Sequence, residues 1–328
     1  MRTAIRLRAP VALLLLGSVA ACSTGGEGVT RSPVDPLAVL GADEVGEVML
    51  AVAQPEEAVL HFRRIAAAKP DDPSAQRGLA TSLMRARRYD DAVGAWRAVL
   101  DTPAATAADR VSLAEALIRT EAWGEARTAL EGVPDGHRTA RRFRLAAMLA
   151  DVDQAWGRAD GFYEAATELS PAPAGILNNW GFSKLARGDA PGAERLFERA
   201  IEADPKLFTA KNNLAMARGA RGEYEVPLVP MTQTERATVL HTLGLAAVKS
   251  GDLAMGRVLL RDALDTHPRH FEPAARALAA LGAEGAPATL AAGKPRVPTN
   301  ALDAADAAAG PVVAQVIDAS APGGEPFP

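Results

Sequence analysis

Few side chains in this chain of 328 residues have the chemical means for catalysis. There is one cysteine, Cys22, and there are five histidines: His61, His137, His241, His267 and His270. His267 and His270 bracket Pro268, with only Glu272 nearby at ligand spacing, so no metal site is expected there. Asp90-Asp91, Gly188-Asp189 and Gly251-Asp252 stand at turns and helix starts. Carboxylates there cap backbone N–H groups rather than move protons. No G-x-S-x-G, phosphate-binding loop, H-E-x-x-H or dinucleotide-binding glycine run is present. The expectation is a non-catalytic chain with no cofactor, no metal and no small-molecule substrate.

The chemistry left is that of binding. Asn178 and Asn179 recur 34 residues later as Asn212 and Asn213. An asparagine offers both donor and acceptor, and can grip an extended peptide through its backbone. Asn179 and Asn213 have a structural alternative, a local bond between helices. Phe182 and Met216 follow the two pairs at matching positions. Arg77, Arg141 and Arg144 could hold a carboxylate or an acidic segment. His241 falls on the same register further on. Together these ten side chains form the candidate peptide-binding groove.

A repeat positions them. Ala58-Phe62, Ala92-Trp96, Ala126-Leu130, Ala159-Tyr163 and Ala193-Phe197 repeat one small-then-bulky pair, with the alanines 34, 34, 33 and 34 residues apart. Gly256-Leu260 follows after a disturbed interval. Twelve residues before each pair stands another small residue: Gly46, Ala80, Ala114, Ala147, Gly181 and Gly244. Pro70, Pro171, Pro205 and Pro268 close units in register. This is the tetratricopeptide (TPR) signature: helix A and helix B packed antiparallel through small residues, with units stacking because none buries its apolar face alone. The expected fold is all-α, a right-handed superhelix of TPR helix-turn-helix repeats over residues 37–282. Positions 2, 5, 9 and 12 of each helix A should line its groove. Trp96, Trp123, Trp156, Tyr163, Trp180 and Phe197 are read as packing residues.

One unit departs from the pattern. Its helix A runs from Phe208 to Ala220, but Pro227 and Pro230 forbid the helix B that should follow. Residues 225–231 are expected to be extended, with Thr232 or Thr234 capping the next helix and Glu235 in its first turn. Phe271 to Leu281 reads as the closing helix.

The ends of the chain differ from its middle. Arg2, Arg6 and Arg8 precede a short apolar run, Val11 to Ala21, as in a secretory signal peptide. The run ends Val19-Ala20-Ala21-Cys22, which resembles a bacterial lipobox. Residues 1–21 are thus expected to be removed and Cys22 lipidated, with residues 22–36 a flexible tether. Ser23 favours the outer membrane under the sorting rule known for enteric bacteria, facing the periplasm. Removing the leader moves the net charge from −4 to −7, so nucleic acid is not an expected partner. Residues 283–328 are rich in Ala, Pro and Gly and are expected to be disordered.

The stretch PLVPMTQTERATVLHTLGLAAVKSGDLAMGRVLLRDALDTHPRHFEPAARAL, Pro227 to Leu278, carries a more specific likeness. With the lipobox and tail, it resembles the TadD-type TPR lipoproteins of the tight-adherence (Flp) pilus system. The specific resemblance covers residues 176–281, about a third of the chain. It implies a role in assembling the pilus secretion machinery, with the secretin or a periplasmic partner of it as client. The repeats alone also fit a TPR regulator of a cell-envelope enzyme, or a pilotin for another secretin.

Overall fold

The computed structural model describes residues 55–282, and among them forms thirteen α-helices and no strand. In chain order these are α1 Pro55–Ala68, α2 Pro73–Arg85, α3 Tyr89–Leu100, α4 Ala107–Arg119, α5 Trp123–Glu131, α6 Ala140–Val152 and α7 Trp156–Leu169. There follow α8 Ala174–Ala186, α9 Ala190–Ala203, α10 Phe208–Gly219, α11 Gln233–Ser250, α12 Leu253–Thr266 and α13 Glu272–Gly282. The pairs α2–α3, α4–α5, α6–α7, α8–α9 and α11–α12 are complete helix A–helix B units, and α1 is the helix B of a preceding one. The helix A expected around Gly46, the leader, Cys22, the tether and the tail lie outside the described residues.

Each A–B turn is built around one residue in the left-handed region. Arg87, Glu121, Gln154, Gly188, Gly222 and Gly251 have φ of 58°, 58°, 55°, 90°, 79° and 94°. The repeat is therefore written in backbone dihedrals as well as side chains. Two of the three acidic turn positions cap a helix, whereas α3 starts from Arg88 with no side-chain cap and Asp90 and Asp91 lie in its first turn. Asp189 and Asp252 accept from Gly192 N and Met255 N, both at 2.9 Å. Thr106–Asp109 and Thr232–Glu235 are reciprocal capping boxes.

The A–B seam depends on its small residues. Ala58, Ala92, Ala126, Ala159 and Ala193 are fully buried, as are Ala80, Ala114 and Ala147. At Gly181 a Cβ would stand 2.6 Å from Phe197 Cε1, so the ring occupies the space that any side chain would need. The bulky partners Phe62, Trp96, Leu130, Tyr163, Phe197 and Leu260 are buried. Trp123, Trp156 and Trp180 are half-buried, at unit margins.

The proline-broken unit takes the expected form. From Ala220 to Thr232 the chain is neither helix nor strand. This strap is fixed at both edges. Val229 packs into the core of α8, α9 and α10, while Tyr224, Val226 and Met231 pack into the core of α11, α12 and α13. Buried Lys211 donates to the Pro230 carbonyl at 2.7 Å and lies 3.5 Å from Glu235. With no helix B between them, α10 and α11 pack directly: a Cβ on Gly219 would lie 2.7 Å from Ala246 Cβ. No helix among the described residues is long and apolar enough to cross a membrane.

Candidate functional site

The ten candidate side chains fall along successive helix A elements, but most are engaged within the chain. Arg77 makes a two-pronged bond to Asp109 on α4, Nε to Oδ1 and Nη2 to Oδ2, each 2.9 Å, and also donates to the Ala104 carbonyl at 2.6 Å. Arg141 donates from Nε to Glu115 Oε2 at 2.5 Å and from Nη1 to Ser112 Oγ at 2.9 Å. Arg144, itself buried, reaches Glu115 Oε1 at 3.4 Å. The three arginines expected to meet an acidic segment thus already hold two carboxylates of this chain. Burial works against ionisation of Asp109 and Glu115. The arginines, and Thr106 at Asp109, outweigh it and hold both acids below their ordinary pKa.

The asparagines form a ladder between units. Asn213 Nδ2 donates to Asn178 Oδ1 at 3.0 Å, and Thr242 Oγ1 donates to Asn212 Oδ1 at 2.7 Å. Each bond joins position 5 of one helix A to position 6 of the next. Asn178, Asn179 and Asn213 are 2%, 2% and 8% exposed, so they belong to the seam and not to a solvent-facing surface. Both amide atoms of Asn179 are buried with no hydrogen-bond partner, as is Nε of Arg144, the residue that matches Asn178 in the preceding unit.

Exposure also corrects the groove itself. On α4 every residue from Val111 to Ile118 is buried, and on α6 the run Ala147 to Asp151 is buried without a gap. A helix buried over consecutive positions has no open face. The accessible part of the predicted line is Arg141, with a guanidinium-bearing side chain 43% exposed, and then Arg77, Phe182, Asn212, Met216 and His241, each half-buried. His241 sits edge-on to Phe271, ring centroids 5.7 Å apart, and so faces the closing helix. Burial lowers its pKa, with a backbone hydrogen bond at Pro273 acting in the opposite sense. His267 stacks on Phe271 at 4.9 Å, and His270 Nε2 is 3.1 Å from Glu272.

Two acidic centres were not picked out from the sequence. Asp151, buried at the end of α6, accepts from Tyr163 Oη at 2.8 Å and Ser183 Oγ at 2.6 Å. Burial pushes its pKa up to about 6, against the two hydrogen bonds and the field of Arg187. Asp160 on α7 accepts from Trp180 Nε1 at 2.6 Å, Lys184 Nζ at 3.0 Å and Arg187 Nη2 at 2.7 Å. Burial opposes its ionisation, but these donors prevail and lower its pKa. Asp151 stands at position 12 of its helix A, which the register assigned to the groove, and Asp160 at a position that also carries Arg127, Glu194 and Arg257, so neither stood out in the repeat.

No family model and no curated protein sequence matches the chain. Solved structures do. The chain is similar to the Cut9–Hcn1 hetero-tetramer of the APC/C, with TM-score 0.51 and 14% identity, covering 73% of this chain and 42% of that one. It is similar to a human IFIT1 dimer with PPP-AAAA, at 0.51 and 16%, covering 73% and 62%. It is also similar to a tetratricopeptide repeat protein from Parabacteroides merdae, at 0.50 and 12%, covering 74% and 97%. The chain thus spans less than half the length of the first of these. The helix pairs, the turn series and these likenesses define the class: a TPR solenoid.

Proposed function

We propose that the chain is a non-catalytic scaffold that holds protein partners, tied by lipid at Cys22 to the outer membrane and facing the periplasm. The observation that carries the binding reading is the row Phe182, Asn212 and Met216 on consecutive helix A elements α8 and α10. All three are part-exposed, and the Thr242 bond to Asn212 uses its oxygen and leaves its amide N–H groups as donors. Two apolar contacts with a donor between them suit an extended peptide segment. The lipobox-like Val19-Ala20-Ala21-Cys22 supports the anchor. The likeness of Pro227 to Leu278 to TadD-type lipoproteins supports assembly of the tight-adherence pilus machinery as the setting and its secretin as the partner.

The test is cross-linking and affinity capture from intact cells with the anchor retained. The secretin should be captured by the natural chain and lost with the double substitution Asn212→Ala, Met216→Ser at unchanged helicity. Equal capture by both would discard the row as the binding surface, and absence of the secretin from both would discard the pilus setting.

A further inference from the structure

On the opposite side of α8 from Phe182 there is a second site. Trp180 and Lys184 stand about half a helical turn away from Asn178 and Phe182. With Gly192, Arg195, Leu196 and Arg199 of α9 they line an open surface depression of about 240 Å³. The apolar wall is Trp180 and Leu196, and the remaining side chains are three cations.

The cations differ in what they already hold. Lys184 is committed to Asp160 at 3.0 Å, with Asp189 at 3.7 Å. Arg195 and Arg199 are exposed, one turn apart, and have no ion-pair or hydrogen-bond partner among the described residues. The acids of α9 explain why. Glu194 is bonded to Arg218 at 2.8 Å and Arg221 at 2.6 Å, and Glu198 to Arg218 at 3.1 Å. Glu194 and Glu198 thus serve the α10 side, and Glu202, exposed three residues beyond Arg199, makes no ion pair with it among the described residues. Asp160, half-buried beside Lys184, is saturated by Trp180, Lys184 and Arg187.

The repeat does not ask for these residues. At the positions of Arg195 and Arg199 the preceding helices carry Leu60 and Arg64, Gly94 and Ala98, Thr128 and Gly132, and Gly161 and Ala165, so none of them has a cation at both places. Where Trp180 stands, other helix A elements have Leu79, Leu113, Leu214 and Leu243. Residues that break a structural rule, leave charge unpaired and converge on one depression mark function.

We propose that this depression is a docking site for an acidic segment of a partner protein, in which one apolar side chain enters against Trp180 and Leu196 and a flanking Asp or Glu is held by Arg195 and Arg199. Two guanidinium forks one turn apart suit a carboxylate. The depression is below the usual range for a whole small-molecule ligand and fits one or two side chains. The site is independent of the α8–α10 row and goes beyond that reading.

A peptide array tests it, with each apolar residue flanked by Asp or Glu at varied spacings and Lys-flanked and Ser-flanked versions as references. The purified chain should select the acidic series, and the best of these, measured by fluorescence anisotropy, should lose about tenfold or more in affinity with Arg195→Ser, Arg199→Ser. Arg158→Ser, Arg261→Ser, an exposed pair elsewhere, should change it less than about twofold. Arg195→Glu, Arg199→Glu should transfer selection to the Lys series. No preference for the acidic series, equal loss with the control pair, or displacement by equimolar inorganic phosphate would each overturn the proposal. Asn212→Ala, Met216→Ser should leave this binding intact, which separates a failure here from a failure of the row.

Discussion

At the scale of single residues, the buried carboxyls have opposite fates. Asp151 is held by two hydroxyls rather than a cation, so its native pKa of about 6 lies above the unfolded value of 3.8. A raised carboxyl pKa gives stability that is fully present below the unfolded value and lost as pH rises through the folded one. His241, with its pKa lowered, acts the other way, because the unfolded chain takes up its proton as pH falls below 6.5. Asp151→Asn cancels the first effect and keeps the second. Its stability advantage over the natural chain should therefore be largest at pH 8 and shrink by about 1–2 kcal/mol by pH 5. Urea melts at the two pH values measure this, and a constant difference would refute it. Glu115 has the contrary role. Glu115→Ala strands buried Arg144 and should cost about 3–5 kcal/mol, seen as a fall in urea midpoint, while Glu115→Ala with Arg144→Met should recover most of the loss. None of this was legible from residue types. Arg144 looked like a ligand-binding arginine because its partner lies 29 residues earlier, and only the packed fold brings Glu115 beneath it.

At the scale of elements, the sequence was far more legible. A 34-residue spacing of small and bulky residues imposes helix pairs, since only antiparallel helices can use the close approach that Gly181 and Phe197 show. The two prolines likewise forbade a helix at residues 225–231, and Thr232 with Glu235 announced the next start. The turns carry a prediction. A non-glycine residue in the left-handed region costs about 1–2 kcal/mol, so Gln154→Gly should stabilise the chain by up to about 1 kcal/mol after glycine's greater loss of entropy on folding. Gly251→Ala, at φ 94°, should destabilise by about 1 kcal/mol. Thermal midpoints moving in opposite directions would bear this out, and a shared direction would reject the role given to the turns. The strap gives another. Lys211→Met removes the anchor at the Pro230 carbonyl, and amide exchange from Val226 to Met231 should quicken while α8 and α9 keep their protection. Unchanged exchange in the strap would show that Val229 and Met231 alone hold it.

At the scale of the whole molecule, the array and the proposed anchor answer different questions. The repeat fixes the solenoid, but which surface faces outward depends on how tightly its units close. That closure hid Asn178 and the enclosed α4 and α6 from any sequence reading, because burial of an inner helix is a property of the stack and not of its own period. Membrane attachment is tested by Cys22→Ala, which should abolish acyl labelling and move the protein out of the membrane fraction with its circular dichroism unchanged. Retention in the membrane fraction would refute the anchor.

The strap between α10 and α11 has a mechanical consequence. A stack of helix pairs is a two-layer beam, and its stiffness comes from the separation of the layers. Between α9 and α12 the outer layer lacks one member, while the inner layer continues from α10 to α11 through the Asn212–Thr242 bond. A beam notched on one side bends at the notch. Flexure should therefore concentrate there, and spin labels on α9 and α12 should report a broader distance distribution than labels on α5 and α7. Such a notch would let the two flanking cores swing relative to each other while the inner rail keeps them in register.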